Sequence, residues 1–510
     1  MTDSPPPDWR AILGSATPRV SFGNPGVRPM RKISDTQEWW DQTIMVRGPF
    51  RPSKAAAASP FVVEQDAAAK ARTYHDAARK VFPFEARRRD LARFAADFYK
   101  NRLRIRGTAG TRAAIEALAN PDTLLIEMAH DGQLPHLGIV RLVLKADAIA
   151  RMDRKALTLY LIGNHYTAEM RPENLRFGAP LKGGSPDEVK HPPKVRVGKA
   201  RSHTPFRWLR PPTSHGLHAL RKQIDDFVEN NVAHEMKAGG RLRTNAKRRI
   251  AVRLDQLFGM MHLAAEEVEN LGDWLIRIQH DLFHLMLGHE ADRILFLPMA
   301  DLTDLVRPEL TLIADRSKEV DAIKAAVAGS QIAQHGEPYQ RGPQSSTFWV
   351  HCPSCFRRTR QPWRPGTPVE FVCPTCANRA ILAGEGAWDW VMPDIVGYEV
   401  ALFRLGLGGW VVGSHAPYHP VIEQAYSRLF RCEMPPKFFL TSVPMFRGIG
   451  DPADGYGRTR LLRALLEMEP SALAAALSSP WSDDPKIHSD LLRFPDVPSI
   501  GRQESIYQKT

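Results

Sequence analysis

An α/β fold with a parallel sheet is what this sequence predicts, and three observations carry the prediction. The runs TLLIEMA (123–129) and LTLYLIG (157–163) are short, apolar and unpatterned, as strands buried on both faces must be. Between them, IVRLVLKADAIARM sets its apolar residues at helical spacing. Strand, helix and strand within about forty residues form a βαβ unit, whose crossover is right-handed. Two later runs, RILFLPM and GGWVVG, supply further strands of the same kind.

The remaining elements follow in chain order. Residues 1–60, with MTDSPPP and FRPSKAAAASP, are rich in Pro, Ser and Arg and read as a flexible or extended segment. From Ala67 to about Leu118, ARTYHDAARKVF and DLARFAADFYKNRL have the spacing of amphipathic helices, and ANPD marks a turn before the first strand. Beyond Ser185 the chain is basic and loop-like, then helical from about His215 to Gly288. The expected organisation is a parallel, Rossmann-like core over 61–345 with a helical insertion at about 190–290. An inserted cysteine-rich unit follows over 346–385, the rest of the core over 386–445, and a helical segment with a polar tail over 446–510.

At 510 residues the chain exceeds what one core usually covers. With 43% apolar and 25% charged residues it has the balance of a globular protein. It contains no apolar run of about 18 residues and no leader-like start, so no membrane association and a cytoplasmic location are expected. The formal net charge of +13 favours polyanions such as RNA where the excess is clustered. Clusters occur in FEARRRDLAR, HPPKVRVGKARSHTPFRWLRPP, GGRLRTNAKRR and CFRRTRQPWRP.

The cysteines carry the sharpest motif. CPSC places Cys352 and Cys355, and CPTC places Cys373 and Cys376, with a short basic, Pro-containing segment between. Two such turns complete a tetrahedral thiolate shell, the pattern of a zinc ribbon. Four thiolates leave no position for an activated water, so the expected Zn2+ is structural. Cys432 stands apart and reads as a buried apolar residue.

Polar loops interrupt the apolar pattern at three strand ends, where ligands of open α/β sheets bind. HDGQLPHLG brings His130, Asp131, Gln133 and His136, with Gly132 and Gly138 suited to close backbone approach. GNHYTAE brings Asn164 and His165, and GSHAPYHP brings Gly413, Ser414, His415 and Tyr418. The expectation is that 130–138, 163–169 and 413–418 line one cleft, with helix N-termini cradling an anion. His280, His284, His289 and Glu290 invite a metal reading, but the apolar residues around them favour a packed helix end at Gly288.

The order of these segments resembles the cysteine-adding enzymes of bacillithiol synthesis. ALANPDTLLIEMAHDGQLPHLG matches the strand and glycine- and glutamine-rich loop of that family, keeping Gly132 and Gln133. LYLIGNHYTAE keeps His165, HLMLGHEADRILFLPMADLTDLVRPEL resembles a later strand and helix, and PDIVGYEVALFRLGLGGWVVGSHAPYHPVIEQAYSRLFRCEMPPKFF a glycine-rich turn with a proline pair. The likeness spans about Phe84 to Phe439. The chain departs from the family in its ribbon, in lacking a long C-terminal coiled coil and a second glutamine, and in lacking the acids beside His165.

The resemblance implies a ligase that joins an amino acid to an amine-bearing acceptor through a C–N bond, with ATP or ADP and Mg2+ as cofactors. In that reading Gly132 and Gly138 approach phosphate, His136 steadies developing negative charge, and His165 is general base or orients the amine. LPHLG also resembles the HIGH signature of class I aminoacyl-tRNA synthetases, although a lysine loop of their second signature is missing; Arg447, Arg458 or Arg460 would then supply the cation. A non-catalytic alternative makes the ribbon, with Arg357, Arg358 and Arg360, a nucleic-acid module.

Overall fold

The structure, a computed structural model, describes residues 60–81, 84–131, 137–164, 174–176, 194–196, 204–227, 240–315, 348–360, 367–393, 405–413 and 437–440, with single positions 135, 435, 470, 471 and 474. Helices α1 (Pro60–Val81), α2 (Phe84–Asp97) and α3 (Ala109–Leu118) lead into strand β1 (Leu124–Asp131). Then come α4 (Leu137–Arg151), β2 (Ala156–Gly163), and the short strands β3 (Asn174–Arg176) and β4 (Lys194–Arg196). Three helices follow, α5 (Ser214–Phe227), α6 (Gly240–Glu267) and α7 (Leu271–Leu287), and then β5 (Ile294–Pro298) and α8 (Thr303–Asp315).

The cysteine-rich unit is built from β6 (Phe348–His351), β7 (Arg358–Arg360), β8 (Val369–Val372), β9 (Arg379–Leu382) and β10 (Val391–Pro393). Strands β11 (Leu407–Gly413) and β12 (Lys437–Leu440) return to the core. Because β10 pairs with β6, the sheet of the cysteine-rich unit reaches Pro393, past the position 385 expected from sequence.

The core is a five-stranded sheet in the order β12-β11-β1-β2-β5, and every neighbouring pair is parallel. Chain order therefore runs outward from β1 to β2 and β5 on one side, then reverses to β11 and β12 on the other. Every residue of β2 is buried, which is why its sequence shows no alternation. The face can still be read from partners. Thr158 donates to Asp147 of α4 at 3.4 Å, and Tyr160 donates to Gln279 of α7 at 2.8 Å. Since Thr158 and Tyr160 share a face, α4 and α7 cover the same side of the sheet.

Local rules account for the helix ends. Thr108 caps α3, accepting from the Thr111 N–H at 3.0 Å, and Asn270 caps α7, accepting from Asp273 N–H at 2.9 Å. α7 ends at Gly288, with φ of 60°, as its sequence predicts. After α2 the chain widens into a π-turn at Phe98–Arg102. That turn aims the Tyr99 hydroxyl at the outer edge of β5, where it accepts from the Phe296 N–H at 2.8 Å and occupies a backbone donor the edge strand would otherwise expose.

Candidate functional site

Two places concentrate chemistry: the rim at the carboxyl ends of the sheet strands and the four-cysteine cluster. On the rim, β11, β1 and β2 are adjacent and parallel, so the three polar loops predicted from sequence leave the sheet on one side. His130 pairs with Ile162 and Asp131 with Gly163 at the strand ends. His130 is half-buried, Gly138 lies in the first turn of α4, and Gly413 closes β11. Gly132, Gln133, His136, His165, Ser414, His415 and Tyr418 lie outside the described residues, as do Cys432, Arg447, Arg458 and Arg460.

Asn164 is placed differently from its neighbours on the rim. It is fully buried, donates to Asp301 at 3.0 Å, and accepts from the Ala300 N–H at 3.1 Å. Its backbone carbonyl takes the Arg207 N–H at 3.1 Å. Asp301 also receives Arg102 at 2.8 Å, and Arg102 clamps Asp273 through two bonds of 3.0 and 2.6 Å. This network seals the rim above β2 and β5. Strand order reverses between β1 and β11, the position at which open α/β sheets take ligands.

Sequence reasoning passed over two charged residues near that reversal. Glu127 sits in the middle of β1 opposite Trp410 of β11 and is 1% exposed. Arg141, in the second turn of α4, is buried, and desolvation lowers its pKa to about 10. The available signal was a lone charge inside each apolar run, LLIEMA and IVRLVL, because burying a charge is costly unless something is gained.

The second place is the cysteine cluster. The sulfurs of Cys352, Cys355, Cys373 and Cys376 lie within 4.8 Å of one another, and the pairs Cys352–Cys376 and Cys355–Cys373 are each 3.6 Å apart. A tetrahedron of zinc–sulfur bonds of about 2.3 Å has edges of about 3.8 Å, so the spacing suits a metal ion such as zinc. It does not suit a disulfide, which needs about 2.05 Å.

The two knuckles repeat one backbone pattern. Phe356 N–H donates to Cys352 O at 2.8 Å and Ala377 N–H to Cys373 O at 2.9 Å. Cys352 N–H donates to Arg357 O at 3.0 Å and Cys373 N–H to Asn378 O at 2.9 Å. N–H groups of Ser354 and Thr375 each reach the first sulfur of their turn at 3.4 Å. In the metal-free thiol form, burial works to raise Cys373, but N–H groups of Cys376 and Thr375 outweigh it and hold the thiol at about 6. Cys352 and Cys355 go the other way, burial pushing both thiols up and Cys355 to about 12, so Cys373 is the one among these three that is ready to be a thiolate before a cation arrives.

The cluster is docked, not tethered loosely. Trp208 packs against His351, Phe356 and Trp390 with ring centroids 5.4, 5.6 and 5.1 Å apart. Beside it Arg207 donates to Asp389 O at 3.1 Å while its other nitrogen lies 3.6 Å from Asp301. The cysteine-rich unit thus rests on the segment that seals the rim.

The histidines of α7 and of the 3-10 turn after it, Gly288–Arg293, form no such cluster. His280 is buried, bonded through Nδ1 to Asp281 at 2.9 Å, and set edge-on to Tyr99 and Phe296. Burial, with a further push from His284, lowers its pKa. His284 bonds Asp292 at 3.1 Å, and His289 is exposed, 4.0 Å from the same carboxyl group. Among the described residues the four cysteines are the only group of three or more metal-ligating side chains held close together. No helix among them is long and apolar enough to cross a membrane.

An α/β protein with a parallel sheet and a four-cysteine cluster able to hold a metal is the class that fold and site define. No protein family's profile matches the chain, and no curated protein matches it either.

Proposed function

We propose that the protein is a Rossmann-like ligase of the kind its sequence resembles, joining an amino acid to an amine-bearing acceptor at the rim between β1 and β11. The observation that supports this reading is the reversal of strand order there, with the start of α4 close behind β1. At such a point helix N–H groups and close-approaching glycines favour an anionic, nucleotide-like ligand. His165 is the proposed base for the attacking amine and His136 the proposed partner of developing negative charge. A carboxylate and an amine condense with loss of the elements of water, and nucleotide-coupled activation, with Mg2+, would take up that oxygen. The four cysteines hold structural zinc in this reading, with their shell closed to substrate.

The test is direct. Purified protein is titrated with ATP and ADP, with and without Mg2+, and then incubated with amino acids, cysteine first, and amine acceptors. The expected product is the sum of the two substrates less one water by mass spectrometry, abolished in His165→Ala. Absence of nucleotide binding under all conditions overturns the reading; product only in the presence of tRNA favours the synthetase-like alternative.

A further inference from the structure

We propose that the cleft between the two cysteine knuckles binds the phosphate backbone of a single-stranded nucleic acid. The cleft measures about 370 Å³ and is lined by Arg357, Arg358, Thr359, Cys373, Pro374 and Thr375, so no carboxylate among the described residues lines it. Arg357 is exposed, and Thr375 is exposed on the opposite wall. The Arg358 guanidinium carbon lies over the Trp349 ring, 4.5 Å from its centroid. A contact of that kind fixes the guanidinium charge beside the cleft, Arg357 adds a second charge, and the two hydroxyls add neutral donors for phosphate oxygens.

The surroundings favour a single strand over a duplex. The space is that of a nucleotide or so, too narrow for a rigid double helix to enter. Beside it, the outer face of the β8–β9 hairpin exposes Val372 and Ile381, the latter 74% exposed, and carries the ion pair of Arg379 with Glu370 at 3.5 Å. Exposed apolar surface next to a phosphate-sized cationic cleft suits unstacked bases, which a duplex does not offer. A metal bound by four thiolates carries a formal charge of 2−, and arginines beside it offset that charge. The metal alone does not call for an open cleft, a second arginine held on an aromatic ring, or a hydroxyl on the facing wall.

The test uses the full metal-loaded chain. Fluorescence anisotropy follows a short labelled RNA strand, the matching DNA strand and the matching duplex across a range of salt. Single strands are expected to bind with strong salt dependence. Arg357→Glu with Arg358→Glu is expected to weaken them at least about tenfold and to flatten the log–log salt slope by about 1.4, two contacts at about 0.7 each. Arg357→Glu alone, which leaves the Trp349 stack intact, is expected to give a smaller loss of the same kind. Metal content is measured on every variant, so a lost knuckle is seen as lost metal.

Unchanged affinity and slope in the metal-loaded double variant overturn the proposal. So does a duplex that binds as tightly as the strand, or inorganic phosphate displacing the strand at equal phosphate concentration. Arg93→Glu, at an exposed arginine of helix α2 that does not line the cleft, serves as control; a loss equal to that of Arg357→Glu would mean diffuse charge instead of a cleft, and would also overturn it. Nucleotide binding at the strand rim is expected to persist in all of these variants, so the two proposals fail separately.

Discussion

Phe356 and Ala377 hold the same place in successive knuckles and the same left-handed backbone, with φ of 61° and 55°, yet they are not equivalent. Left-handed backbone costs a residue with a Cβ roughly 1–2 kcal/mol, which glycine avoids. Ala377 is exposed, so Ala377→Gly is expected to stabilise the metal-loaded protein by about 1 kcal/mol in urea denaturation. Phe356→Gly is expected to do the reverse, because Phe356 packs on Trp208 and Trp390 and the lost aromatic contact outweighs the relief. At Asp292, burial acts to raise the carboxyl pKa, but hydrogen bonds from Thr108, His284 and Thr111 prevail and hold it below the usual range. Its contribution to stability is therefore complete above the unfolded value of about 4 and is lost as pH falls through the lower folded value. Denaturation midpoints measured downward from pH 5 should fall less steeply for Asp292→Asn than for the natural chain.

At the scale of elements, β11 shows why a strand carries two consecutive glycines. A Cβ at Gly408 would lie 2.0 Å from Leu124 Cδ1 and 3.3 Å from Ala71 O, and one at Gly409 would lie 2.6 Å from Phe438. The glycines let β11 sit tightly between β1, β12 and helix α1. Gly408→Val is expected to cost at least about 1–3 kcal/mol by overpacking, read as a lowered melting temperature. The π-turn after α2 has a comparable role, since it delivers Arg102 to Asp273 and Asp301. Arg102→Ala leaves Asp273, whose side chain is 2% exposed, without its cation. A buried pair broken in this way costs about 3–5 kcal/mol, and the third of Arg102 that reaches solvent reduces the expected loss to about 2–3.

For the whole molecule, the decisive contact is the docking of the cysteine-rich unit on Trp208 and Arg207. Removing the metal should release the knuckles first, because the four cysteines of the two turns converge on one point and an ion bound there ties the turns together. Addition of a strong chelator, or Cys373→Ser, is expected to remove one metal equivalent per chain and shift the tryptophan fluorescence of Trp208, Trp388 and Trp390. Helical circular dichroism should stay near its starting value, since the parallel sheet and its helices do not depend on the knuckles. Loss of helix in step with the metal would show instead that the docked unit supports the core.

What the sequence determined by itself is what short-range physics controls. Buried parallel strands need continuous apolar residues, so β1, β2, β5 and β11 were legible, and metal chelation needs fixed spacing along the chain, so the four cysteines were too. The end of α7 at Gly288 belongs with them. Tertiary structure alone decided the order of the strands, and with it that three loops encoded far apart leave on one rim. It also decided that Asn164, a plausible ligand group by its position after β2, is spent on Asp301 and Ala300. Arg102, Asp273 and Asp301 could not be joined from the sequence, since a salt bridge leaves no local periodicity; Glu127 and Arg141 left only the trace of one charge in an apolar run. Partners distant along the chain are chosen by packing, and packing is a property of the folded molecule.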